Sequence, residues 1–174
     1  MSAVLPEVVD AWRTVAARRR FEGTIPLARM PRLADALADS QGECRYVLEF
    51  GRDELDVAYL ELTLEAGLPL TCQRSLERFV FPVHVEQRLG LLRDERDEAG
   101  LPDGYEPVLL GADAALRPLD LVEDELILAL PLVPVSPDAE APATDVDARQ
   151  SGETATPFAA LAALKDNKLN PSKD

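Results

Sequence analysis

Two groups of residues in this chain have the types and spacing for molecular recognition. Glu123, Asp124 and Glu125 are three consecutive acids, and Arg18, Arg19 and Arg20 are three consecutive arginines with Arg13 just before them. The acids could meet a basic partner. Guanidinium forks match phosphate oxygens in paired N–H···O geometry, so the arginines, with Arg74 further along, are candidate RNA-facing groups. For both sets the simpler reading is a solvated helical face. The residue types of an enzyme are sparse. His84 is the one histidine, and its place among alternating apolar residues suits a satisfied or solvated imidazole. Ser136 and Ser151 have no base at a recognisable spacing. Paired carboxylates carry little specificity in a chain with 32 acids, and no glycine-rich phosphate loop is present. Cys72-Gln73-Arg74-Ser75 has the frame of a C-x-x-C knuckle, with serine where the second thiolate would stand. Cys72 and Cys44 alone do not complete a tetrahedral zinc site. Both read as small buried apolar residues, and Cys72→Ser is expected to leave folding nearly intact. No catalytic residue, cofactor or metal is expected.

The acids sit on the element that organises the chain, D-L-V-E-D-E-L-I-L-A-L-P-L-V-P-V over residues 120–135. Leu119, Val122, Leu126 and Leu130 recur at spacings of three, four and four, which stacks them on one helical face. Pro118 suits a first turn, and the neighbouring acids favour the positive end of the helix dipole. Pro131 lacks the amide that a further turn needs, and the Pro131–Pro134 stretch should be extended. The arginines close a second amphipathic helix predicted over residues 7–20, with Val8, Val9, Trp12, Val15 and Ala16 on its apolar side. A short strand is predicted at 21–25, with Gly23 as a bulge, and a short helix at Pro31 to Ala38.

The middle of the chain is β-rich. Cys44, Tyr46, Leu48 and Phe50 alternate with polar or smaller neighbours, as do Leu60, Leu62, Leu64 and Ala66, and then Phe79, Phe81, Val83 and Val85. Residues 51–54 suit a hairpin connection, Gly67 and Pro69 suit an interruption, and Pro82 places its strand at an edge or a bulge. Residues 94–100 read as a charged loop, and 105–110 as one more strand. The pattern predicts an α+β domain over residues 1–135, built on an antiparallel sheet or small open β-barrel with flanking helices. Residues 136–155 have the composition of a disordered acidic linker. Residues 156–174 carry a short helix presenting Phe158, Leu161 and Leu164. A helix this short is marginal in water, so it should dock either on its own domain or on a partner.

Charge narrows the function classes. The formal net charge of -14 opposes wholesale nucleic-acid binding. Its distribution is uneven: residues 1–32 hold six arginines against three acids, whereas residues 94–153 hold sixteen acids against three arginines. No run resembles a signal peptide or a membrane span, so a soluble cytoplasmic protein with no membrane partner is expected.

Four motifs, L-T-C-Q-R-S-L-E-R-F, Y-E-P, L-V-E-D-E-L-I-L-A-L-P-L-V-P-V and P-F-A-A-L-A-A-L-K, follow in this order. Together with the early D-A-W-R-T-V-A-A-R-R-R-F-E-G they resemble the YceD family, described as large ribosomal RNA subunit accumulation proteins. The likeness covers nearly the whole chain. It implies a role in accumulation of 23S ribosomal RNA and in large-subunit assembly, and it implies no catalytic residue. Many of those relatives carry C-x-x-C at the position of Cys72 and Ser75, some with further cysteines after V-P-V. This chain keeps only Cys72. Two modes of action follow as expectations. In the first, Glu123, Asp124 and Glu125, together with Phe158, Leu161 and Leu164, contact a basic ribosomal protein or a large-subunit precursor particle. In the second, Arg13, Arg18, Arg19, Arg20 and Arg74 bind ribosomal RNA directly.

Overall fold

The computed structural model describes residues 5–139. Its frame is an open five-stranded sheet of β2 (Arg20–Pro26), β3 (Glu43–Arg52), β4 (Ala58–Thr71), β5 (Arg78–Leu92) and β6 (Glu106–Leu109), ordered β2-β3-β4-β5-β6. The first four strands form an antiparallel meander, and β6 joins β5 in parallel. A two-residue strand β1 (Val9–Asp10) leads into helix α1 (Ala11–Ala16) and pairs antiparallel with β7 (Ala115–Leu116). Helices α2 (Pro31–Ala34) and α3 (Pro118–Leu128) complete the domain. This is the expected α+β class, as an open sheet.

Alternation produces the core. Tyr46, Leu48 and Phe50 on β3, Leu60, Leu62 and Leu64 on β4, and Leu89 and Leu91 on β5 are buried on one face. They meet Val15 of α1, Leu27, Met30 and Leu33 around α2, and Val122 and Leu126 of α3. The opposite face carries cross-strand ion pairs, Arg20–Glu49 and Arg88–Glu61, each at 2.6 Å. One packed face and one wet face is the usual arrangement of an antiparallel sheet. His84 lies on the wet face between Glu65 and Glu86.

Several local expectations shift, each for a tertiary reason. The helix predicted over 7–20 is confined to Ala11–Ala16. Residues 9 and 10 are taken by pairing with β7, Asp10 caps the helix by accepting from the Arg13 amide (3.0 Å), and Arg18 turns the chain at φ 45°. The arginine run therefore spans a turn and the start of β2. Gly23 is no bulge: it pairs in register with Tyr46, and a Cβ there would lie 3.0 Å from the Tyr46 hydroxyl oxygen. The strand interior leaves room for that ring. α2 stops at Ala34, and Ala38 then donates its amide to the Pro69 carbonyl (2.8 Å). β4 runs unbroken through Gly67 and Pro69. The Pro69 carbonyl faces Ala38, so its missing amide also points away from β5 and costs that ladder nothing. Pro82 lies beyond the reach of β6, on the free edge of β5. Residues 93–105 are long enough for the crossover a parallel pair needs, and within them Glu95–Gly100 forms a 3₁₀ turn capped by Asp94.

The organising helix has the expected face. Val122 and Leu126 are fully buried, and Leu119, Ile127 and Leu130 pack against the core. Beyond Pro131 the chain bends at Leu132 and Val133 rather than running fully extended. It then crosses to the tip of the β4–β5 hairpin, where Gln73 donates its amide to the Pro134 carbonyl (2.9 Å).

Candidate interaction surfaces

Consecutive helical residues point about 100° apart, so Glu123, Asp124 and Glu125 cannot share one surface. Glu123 turns inward and is 3% exposed. Its Oε1 accepts from the backbone amides of Arg32 (2.7 Å) and Leu33 (3.1 Å), and its Oε2 accepts from Arg32 Nε (2.9 Å). The first turn of α2 has no capping side chain of its own, because Met30 precedes Pro31. Glu123 satisfies those orphan amides from 91 positions away. The expectation that this carboxylate lines a contact surface is thus corrected: it fastens α2 to α3.

Asp124 lies at the edge, where its Oδ1 accepts from an Arg32 guanidinium nitrogen at 2.5 Å. Glu125 points the other way, toward β6, and is half-buried. Burial first, and then Glu106 and Asp124, push its carboxyl above the ordinary carboxylate range. Among the described residues Glu125 has no ion pair. It rims a groove of about 350 Å³ between β6 and α3, with Val108, Leu121 and Leu128 on the apolar side and Glu106, Asp124 and Glu125 on the acidic side. Gln87 donates to the Glu106 carboxylate. Leu128 is 71% exposed and Leu132 fully exposed, which extends the apolar strip along the chain's exit. Sequence reading missed Glu106 and Arg32 here. Each is an ordinary surface charge in its local context, and no local signal marks its partner.

The arginines meet at the other end of the sheet. Arg13, Arg19 and Arg20 line a concave cleft of about 670 Å³ with Thr14 and Phe21, and Arg18 sits in the turn beside it. The Arg19 guanidinium lies 5.7 Å from the Phe21 ring centre. Arg20 is held by Glu22 (2.9 Å) and Glu49 (2.6 Å), whereas the side chains of Arg13 and Arg18 have no carboxylate within pairing distance among the described residues. Arg74 is not part of this cluster. It sits past Thr71, about 30 Å further along β4 than Glu61 at the strand rise of about 3.3 Å per residue, and its guanidinium donates to the Ala139 carbonyl (3.4 Å). Phe158, Leu161 and Leu164 lie outside the described residues.

Both cysteines are buried, but their thiols differ. Burial pushes Cys44 up to about 12. Cys72 Sγ accepts from the amides of Ser75 (3.4 Å) and Ser136 (3.3 Å), which joins the hairpin tip to the residue after V-P-V. Hydrogen bonds from Ser75 and then Ser136 lower this thiol from 9.0 to about 6. Between those two values the unfolded chain holds the proton and the folded one does not, so stability should rise with pH across that window. In Cys72→Ser the hydroxyl does not ionise. Unfolding midpoints in denaturant for both proteins are expected to diverge from pH 6 toward pH 9, in favour of the wild type. Parallel pH profiles would contradict the thiolate. Among the described residues, no group of three or more His, Cys, Asp and Glu side chains could hold a metal ion, and no helix is long and apolar enough to cross a membrane.

Comparison with known proteins matches residues 60–165 to a family model described as large ribosomal RNA subunit accumulation protein YceD. A Haemophilus influenzae protein named large ribosomal RNA subunit accumulation protein YceD is 28% identical over 167 residues, covering 92% of this chain and 96% of that protein. No solved structure matches.

Proposed function

This chain belongs to the YceD family, and from that premise we propose that it is a non-enzymatic cytoplasmic factor supporting accumulation of large-subunit ribosomal RNA. It acts by contact with a basic ribosomal protein or with a large-subunit precursor particle. The observation that carries this reading is the β6–α3 groove, an apolar floor beside Glu106, Asp124 and Glu125, which has no ion pair among the described residues. A basic amphipathic segment would supply the missing counter-charge and remove Val108, Leu121 and Leu128 from water. Opposite charge steers the encounter and sets register, and the apolar floor slows dissociation. Phe158, Leu161 and Leu164 enter the same proposal as a second contact, tethered through residues 140–155.

The test uses Glu106→Gln/Glu125→Gln and leaves Asp124 in place, because Asp124 holds Arg32. Glu125 titrates above its ordinary value, so its ionised form opposes folding at neutral pH. The double variant should therefore be at least as stable as the wild type, which separates fold from function. Binding to extracted large-subunit proteins over a salt series is expected to weaken about tenfold with a shallower salt dependence, and gradient profiles should show less mature large subunit. Unchanged binding and unchanged profiles would refute the contact.

A further inference from the structure

The arginine cleft lies on other elements than the acidic groove, and the proposed protein contact makes no use of it. We infer that the cleft between α1 and the start of β2 binds the sugar-phosphate backbone of single-stranded RNA. The inference rests on the family reading for its biological setting and on geometry for its chemistry. Arg13 and Arg19 border one concavity, with Arg18 beside it and the Arg20 guanidinium turned to the opposite face of the sheet. Asp10, the acid that lines it, is engaged in capping α1. Arg20 is paired with both Glu22 and Glu49 and offers no free positive charge. That leaves Arg13, Arg18 and Arg19 as charges without a carboxylate partner among the described residues, in a chain of net charge -14.

Arginine side chains without a carboxylate partner among the described residues suit an anion from outside. Their number suits a run of phosphates better than a single one. The concavity favours a flexible strand over a rigid duplex, whose backbone would bridge the cleft rather than enter it. The Arg19 guanidinium, lying over the Phe21 ring that packs on the core, offers one flat surface for an unstacked base. With so little aromatic surface the site reads backbone and tolerates any sequence. The distant acids do not cancel it, because at physiological ionic strength charges more than about 8 Å away are largely screened.

The probe is a fluorescein-labelled single-stranded oligouridylate, titrated with the full chain by fluorescence anisotropy over a salt series. Arg13→Ala, Arg18→Asn and Arg19→Ala are combined, with asparagine at 18 because it tolerates the positive φ found there. Each phosphate contact on a single strand contributes about 0.7 to the slope of log affinity against log salt. The triple variant is expected to lose about 2 from that slope and roughly tenfold to a hundredfold in affinity at about 0.1 M salt. Arg96→Ala, which removes an exposed arginine paired with Asp94 after β5, should bind like the wild type. If the triple variant fails to fold, Arg13→Ala alone should still lose about 0.7 from the slope. Three results would each overturn the assignment: an unchanged slope in the arginine variants, no binding by the intact protein at about 0.05 M salt, or preference for phosphatidylglycerol vesicles or duplex RNA. The Glu106→Gln/Glu125→Gln protein should keep RNA binding, so failure of the acidic contact and failure of the arginine site are read separately.

Discussion

Glu123→Ala is expected to destabilise the domain by on the order of 3 kcal/mol, and to do so without touching any exposed surface. The carboxylate accepts three hydrogen bonds, two of them from the first amides of α2. Its removal leaves the buried Leu33 amide without an acceptor, and a buried donor left unpaired costs about 1–3 kcal/mol. It also leaves Arg32 held by Asp124 and the Asp120 carbonyl alone. Arg32 is half-exposed, so its charge can return to water, and that keeps the loss below the range for a fully buried pair. Glu123→Gln is the sharper test. An amide oxygen can still accept from the α2 backbone, but the amide NH2 then meets the Arg32 Nε–H as a second donor, so a loss smaller than that of alanine is expected. Denaturant unfolding of the three proteins at neutral pH would check this order. Equal stability of Glu123→Ala and wild type would mean that α2 is not fastened through this carboxylate.

Leu126→Ala should be comparably damaging for a different reason. Its side chain is fully buried where α3 packs on the sheet. Truncating a buried leucine typically costs about 2–5 kcal/mol, the spread depending on how far the surroundings collapse into the cavity. Leu128 lies two residues on and is 71% exposed, so Leu128→Ala should change stability by less than about 0.5 kcal/mol. The pair separates two roles of one helix. Leu126 anchors it, and Leu128 belongs to the groove rim proposed for a partner. Thermal melts of both variants measure this; a large loss in Leu128→Ala would place that residue in the core.

The strands β3, β4 and β5 were legible because alternation is a local property: a chain that buries one face of a sheet must place apolar residues at every second position. Helix α3 was legible for a similar reason, since Leu119, Val122, Leu126 and Leu130 stack on one face between Pro118 and Pro131. The class of the fold follows from such local order, and the family from the ordered motifs that the chain shares with its relatives. The length of α1 did not, because its start is set by Ala115 and Leu116, a hundred positions away in the chain. Nor did the roles of the charges. Glu123, Asp124 and Glu125 are equivalent as a sequence, and only the packing of α2 against α3 decides that the first is buried, the second paired and the third left facing Glu106. The arginine run likewise divides, among the described residues, into one paired and two unpaired cations once β3 brings Glu49 beside Arg20. Periodicity reports which face of an element is apolar. It holds no information on which distant element will meet that face, and the fate of a charged residue is decided by that meeting.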